Sequence, residues 1–198
     1  MVYRHLLLVC AAPFALSSAA AETDWHRDAL AKAVAFHAMN PPKTCNALES
    51  SPSQPISYNL PTGNGASARG ELLIEFPCQA GAYNQTKVYL LSNRDGGLSN
   101  VEFPMPKIDV TYVGEGENAP VKNVAITATE MVREVANPLF DTETLTLTAK
   151  AKWRGVGDTY TLAKWSFRNA RFELVYFAVD ASFDGRDDPQ IMIDEKSK

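Results

Sequence analysis

The sequence is short of the residues that do chemistry. Its 198 residues include three cysteines and three histidines, with no Cys-x-x-Cys, no Gly-x-Ser-x-Gly and no His-Glu-x-x-His. It therefore carries no pattern for a redox dithiol, an α/β-hydrolase nucleophile or a zinc protease. No apolar run beyond Leu16 approaches the roughly 20 residues that span a bilayer as a helix. A block of positive charge is missing too: 19 Lys and Arg stand against 23 Asp and Glu. Nucleic acid is excluded as a partner on that count, because phosphates are met by clustered Lys and Arg.

What is there begins with export. Arg4 precedes an apolar run from Leu6 to Leu16, and Ala19-Ala20-Ala21 offers an A-x-A cleavage site before Glu22, the layout of a secretory signal peptide over residues 1–21. The run of about a dozen residues is too short for an anchor, and Val9 is too bulky to precede a lipidated Cys10. The expected mature chain is periplasmic or secreted, with no transmembrane segment after cleavage. Losing Arg4 leaves 18 basic residues against 23 acidic, a net charge of −5, and two cysteines, Cys45 and Cys78. An oxidising compartment allows them one intramolecular pairing, a structural bridge worth about 3–4 kcal/mol on the chain-entropy account. Residues 22–198 suffice for a single domain with one sizeable core.

The chain is organised around the stretch Phe76-Pro77-Cys78-Gln79-Ala80-Gly81-Ala82-Tyr83-Asn84. Before it, Leu72, Ile74 and Phe76 alternate with Glu71 and Glu75, the period of a half-buried strand whose glutamates face solvent, with Leu73 as a misfit. Pro77 is expected to close that strand and Gly81 to let the backbone turn. Tyr83 to Leu91, with Val88-Tyr89-Leu90-Leu91 in succession, reads as a central strand covered on both faces.

Taken in order, the mature chain opens with a helix over about 24–39, whose stripe of Trp25, Leu30, Ala33, Val34 and Phe36 needs a sheet to bury it. Asn40-Pro41-Pro42 stops it. His26 and His37 share its face but sit eleven positions apart, roughly 16 Å, too far to chelate one metal ion. Residues 45–70 form a loop tied down by the disulfide, in which Ile56 to Leu60 alone can make a short strand, and Thr62 to Gly65 is a surface turn. Asn93 to Gly97 is a turn, and the strand begun at Leu98 is interrupted by Pro104 and Pro106. Ile108, Val110 and Tyr112, then Val124, Ile126 and Ala128, alternate on either side of a turn at Gly114 to Asn118, and Glu130 to Asn137 fits strand or helix. Thr144 to Trp153 is a one-sided antiparallel strand, with Leu145, Leu147, Ala149, Ala151 and Trp153 inward. Tyr160 to Phe167 and Phe172 to Val179 form a final hairpin around Asn169-Ala170, and the N-terminal helix is expected to cover the apolar face of Val175, Phe177 and Val179. The fold class is mainly β with one N-terminal helix (α+β): a single antiparallel β-rich domain, sandwich or open barrel, of about seven to nine strands.

Five segments together, Cys78-Gln79-Ala80-Gly81-Ala82-Tyr83-Asn84, Gly155-Val156-Gly157-Asp158, Trp165-Ser166-Phe167, Arg171-Phe172-Glu173-Leu174 and Asp184-Gly185, resemble the domain-of-unknown-function 1176 family over roughly residues 70–185. The resemblance implies an exported envelope protein of Gram-negative bacteria with a β-rich domain and no established activity. It also implies a second cysteine pair, at whose places this chain has Thr159 and Phe183.

The residues offer no catalytic set, no metal site and no cofactor. Asp180, Asp184, Asp187 and Asp188 surround Gly185, but their spacing fails the calcium loop and Arg186 opposes it. Glu71 and Glu75 could pair for glycoside hydrolysis, and read instead as ordinary surface. Tyr83 and Asn84, an aromatic and an amide beside a glycine turn, are the candidate contacts for a small polar ligand; the alternative is that Asn84 bonds its own turn and Tyr83 packs under the disulfide. The expected role is non-catalytic, a binding or structural protein of the periplasm with an envelope protein as partner. The alternatives are a secreted inhibitor of a cell-wall hydrolase such as lysozyme, and a carboxylate-dependent hydrolase.

Overall fold

The computed structural model describes residues 17–45, 54–61, 70–116 and 119–197. The expected signal peptide up to Leu16, with Cys10, and the turn at Thr62 to Gly65 lie outside the described residues. The elements in order are helix α1 (Ser17–Met39) and strands β1 (Ile56–Leu60), β2 (Glu71–Ala80), β3 (Gln85–Asn93), β4 (Leu98–Asn100), β5 (Phe103–Tyr112), β6 (Val121–Val132), β7 (Glu134–Ala136), β8 (Pro138–Asp141), β9 (Thr146–Lys152), β10 (Tyr160–Arg168), β11 (Arg171–Asp180) and β12 (Gln190–Asp194). The described strands outnumber the period-2 runs because β4, β7 and β8 span only three or four residues, too few to show an alternation.

Two antiparallel sheets result, one ordered β1-β2-β3-β4 with β7 also paired to β3, the other β12-β11-β10-β9-β8, and β5-β6 forms a separate ribbon. The sheets face each other as a sandwich across Leu73, Tyr89, Phe103, Leu147, Trp165 and Phe177. Helix α1 covers the outer face of the first sheet, burying Ala29 and Ala33 against Leu72, Ile74, Phe76 and Val88. The layers are therefore helix, sheet, sheet. Small alanines let the helix lie close, while Val34, expected in the stripe, is exposed. Trp25, Leu30 and Phe36 of the expected stripe pack against that face. His26 Nε2 meets Ser57 Oγ at 2.8 Å on β1, and His37 stacks on Phe76 at 4.3 Å.

Bulges account for two departures from the expected pattern, and an outward-facing strand edge for a third. Pro77 does not close β2: the register slips between Pro77 and Gln79, so the strand tolerates a residue without a ladder donor and continues to Ala80. In β11, Lys164 faces Tyr176 while Trp165 faces Leu174, which leaves Val175 as the extra residue. The alternation therefore switches, and Phe172 and Phe177, five apart, enter the same core. Hence the apolar face of β11 is covered by the first sheet and not by α1, which packs on β2 and β3. Pro104 and Pro106 do not interrupt a strand either: they lie inside β5, opposite Met131 and Thr129. Their missing donors fall on the edge away from β6, where the Pro104 carbonyl instead accepts the Trp165 indole N–H at 2.8 Å.

Other expectations hold. β1 spans Ile56–Leu60, β3 is central, and β9 buries Leu147 and Ala149. Asn169 and Ala170 both have positive φ, 51° and 58°, the two-residue turn that matches strand twist. One further strand, β12, follows that hairpin and pairs with β11.

Candidate functional site

The organising stretch and the later glycine-rich segments meet at one end of the sandwich. After β2, Gly81 N donates to Asn84 O at 2.8 Å to close the turn, where a Cβ on Gly81 would lie 3.1 Å from that oxygen. The side chain of Asn84 does not bond its own turn. It reaches the second sheet, donating to Lys152 O at 2.8 Å and accepting from Lys152 N at 3.1 Å. Its Oδ1 also accepts from Asn137 Nδ2 at 2.7 Å. Asn137 sits between β7 and β8 with φ 47°, donates to Lys150 O at 2.9 Å and accepts from Gln85 N at 2.8 Å. Tyr83, partly exposed, donates from its hydroxyl to Trp153 O at 3.1 Å. Two amide side chains thus tie the sheets together where the chain crosses between them. The sequence signal for Asn137 is its residue type alone, since asparagine tolerates the left-handed φ it adopts, whereas a place before proline favours extended backbone.

Next to this clasp, Arg154-Gly155-Val156-Gly157-Asp158 forms a compact loop. Gly157 N donates to Arg154 O at 3.1 Å, and the Arg154 guanidinium grips both oxygens of Asp158. Asp158 also accepts from Gly185 N at 3.0 Å, so two segments of the family resemblance are in contact. The Arg154 pair and the Gly185 amide hold its carboxyl well below the usual range. Asp180, buried, accepts from Ser182 N, Ser182 Oγ and Asp188 N at 3.1, 2.8 and 3.1 Å. Asp187 accepts from the Tyr160 hydroxyl. The aspartates of this region organise their own loop, and no three His, Cys, Asp or Glu side chains cluster for a metal among the described residues.

Glu75 is not surface. It is 3% exposed, and its carboxylate lies between the sheets, accepting from the Tyr89 hydroxyl at 2.8 Å, the Tyr58 hydroxyl at 3.4 Å and Lys87 Nζ. Alternation was read correctly, but the face opposite Leu72 and Ile74 is the interior of the sandwich, with Leu73 beside it. Burial, then the Glu75 charge, pushes the Tyr58 phenol up to about 12 and the Tyr89 phenol higher still. Glu71 shares the strand, has one buried oxygen without a partner among the described residues, and has its pKa raised by burial.

A groove of about 700 Å³ lies beside β7. Its walls are Pro42 to Thr44, the edge residues from Met131 to Ala136, the ribbon at Met105 and Pro106, and Ala151, Thr161 and Phe177 of the second sheet. The disulfide builds one wall: Cys45 is bonded to Cys78, and Gln79 Nε2 donates to Thr44 O. Sequence reading missed this groove because its lining is scattered over eight separate stretches between Pro42 and Phe177.

No described helix is long and apolar enough to cross a membrane. No curated protein and no solved structure matches the chain. A family model does match, over residues 66–187, and that span takes in the asparagine turn, the Arg154–Asp158 loop and Gly185. The chain belongs to the family of proteins of unknown function DUF1176.

Proposed function

We propose that this chain is an exported protein of the cell envelope that works by binding rather than by catalysis. One observation carries the non-catalytic reading. The buried acids Glu75, Asp158 and Asp180 each accept three hydrogen bonds from protein donors. A carboxylate so held is a weak base and a poor nucleophile, because reaction must first break those bonds. A carboxylate-dependent hydrolase needs two acids free to face a substrate. Export is supported by the N-terminal pattern and by a disulfide suited to an oxidising compartment. Expression of the full chain in a Gram-negative host tests it. Loss of residues 1–21, periplasmic recovery and no alkylatable thiol are expected; an uncleaved cytosolic chain with free Cys45 and Cys78 contradicts it.

A second reading, inhibition of a cell-wall hydrolase, rests on the 154–158 loop. Val156 is 78% exposed at its apex, between two glycines and above the Arg154–Asp158 pair, a pre-formed apolar knob of the kind that enters a cleft. Mature protein at an equimolar ratio should slow lysis of cell walls by lysozyme, and an unchanged rate removes the reading.

A further inference from the structure

The groove beside β7 follows a strand edge. Neighbouring residues of a strand point to opposite faces, yet the groove is lined by Met131, Val132, Arg133, Glu134, Val135 and Ala136 in succession. A cavity that meets six consecutive residues runs along the backbone, not over one face. Among the described residues β7 pairs with β3 and with no other strand. Asn137 N donates to Gln85 O at 2.7 Å, which sets the alternation of the ladder: Val135, opposite Lys87, turns its N–H and C=O to β3, and Glu134 and Ala136 turn theirs away. The clasp of Asn84 and Asn137 fills the gap between the sheets at the other end, so the open edge begins where the clasp stops.

We propose that this groove takes an extended polypeptide segment of another protein, added as a strand along β7. The proposal rests on the binding reading above and names its surface. Glu134 and Ala136 supply the main-chain donors and acceptors that such an addition uses, and alternate apolar side chains of the guest lie on Met105 and Met131. Charge argues for polypeptide as the occupant. Lys43, Arg133, Glu102 and Glu134 rim the groove, and none of them is in an ion pair among the described residues. Uncompensated charges of both signs complement a chain that carries both; a nucleic acid or an acyl chain offers one sign or none.

The test is selection of a random decapeptide display library on the mature protein, followed by affinity measurement on variants. Ala136→Pro and Glu134→Pro remove outward donors and leave the β3 ladder intact, whereas Val135→Pro breaks that ladder. Selected peptides are expected to alternate apolar residues, to shift the Glu134 and Ala136 amide resonances, and to lose at least tenfold in affinity on Ala136→Pro, with thermal unfolding and the disulfide unchanged. A floor variant, Met131→Asp, gives the same loss if the proline unfolds the edge. The proposal is overturned if no peptide is enriched, if enriched peptides bind Ala136→Pro and Met131→Asp at full strength, if the groove instead takes a fatty-acyl detergent monomer in preference to peptide, or if it is closed by a second copy of the chain. Failure here with correct export and processing sinks the groove proposal alone; a cytosolic, reduced chain sinks the envelope reading beneath it.

Discussion

In the first sheet β2 buries both of its faces, with Leu72, Ile74 and Phe76 under α1 and Leu73 and Glu75 between the sheets; in the second, β9 buries Leu147 and Ala149 and leaves Thr146, Thr148 and Lys150 on the outer side. A middle layer has no solvent face on which to put a charge. Its acid must therefore be neutralised inside, and Glu75 is met there by a lysine and two phenols. The outer layer carries its polar residues at no such cost. The first sheet also holds the covalent bridge, which fixes the segment after α1 to β2 and builds a wall of the groove. The same residue alternation thus means a half-exposed strand in one sheet and a doubly buried one in the other.

That contrast sets the sizes of the expected effects. Glu75→Leu strands Lys87 and both tyrosine hydroxyls between the sheets, and urea denaturation should show a loss of about 3–5 kcal/mol. Thr148→Ala, its counterpart on the outer face of β9, should stay within about 0.5 kcal/mol; equal losses would break the comparison. Reduction of Cys45–Cys78, or Cys78→Ala with Cys45→Ala, should cost about 3–4 kcal/mol for a closed loop of 33 residues. The midpoint in urea with and without reductant reads this directly.

Asn84→Ala removes three hydrogen bonds that join the sheets, and a loss of about 1–3 kcal/mol is expected. This variant also separates two roles. A fastener lowers stability, whereas a residue that serves only as a ligand contact leaves the unfolding midpoint in place.

The alkaline limb gives a smaller and more specific signal. Tyr58 is raised to about 12 in the fold, above its ordinary value of about 10. The fold keeps that proton while the unfolded chain loses it, so the contribution is complete below pH 10 and falls away as pH rises toward 12. Tyr58→Phe should flatten this slope in the unfolding midpoint between pH 10 and 12. At the small end, Ala170→Gly should stabilise the β10–β11 turn by about 0.5 kcal/mol, because φ 58° strains a side chain there.

The sequence was most legible where one rule acts alone. The short strand at Ile56–Leu60, the Asn169-Ala170 turn and the inward row of β9 follow from local pattern. Legibility failed where a tertiary event changed the rule. The bulge at Val175 moved Phe177 to the other face of β11, and no residue type announces such an insertion. Glu75 was misplaced because its partners Tyr58 and Lys87 lie 17 and 12 positions away, and nothing in a local window shows that they converge. Cys45 and Cys78 are legible by elimination, since the cleavage expected from the N-terminal pattern would leave no other thiol. Asn84 stands out in the sequence beside its glycine turn, but its bond to Lys152, 68 positions on, belongs to topology.

The clasp and the buried acids hold the sheets while β7 keeps one edge open beside the groove. Amide hydrogen exchange read at three consecutive residues decides whether that edge is free. Protection at Val135 with rapid exchange at Glu134 and Ala136 is expected. Protection at all three would mean that the edge is already paired, and would contradict the account.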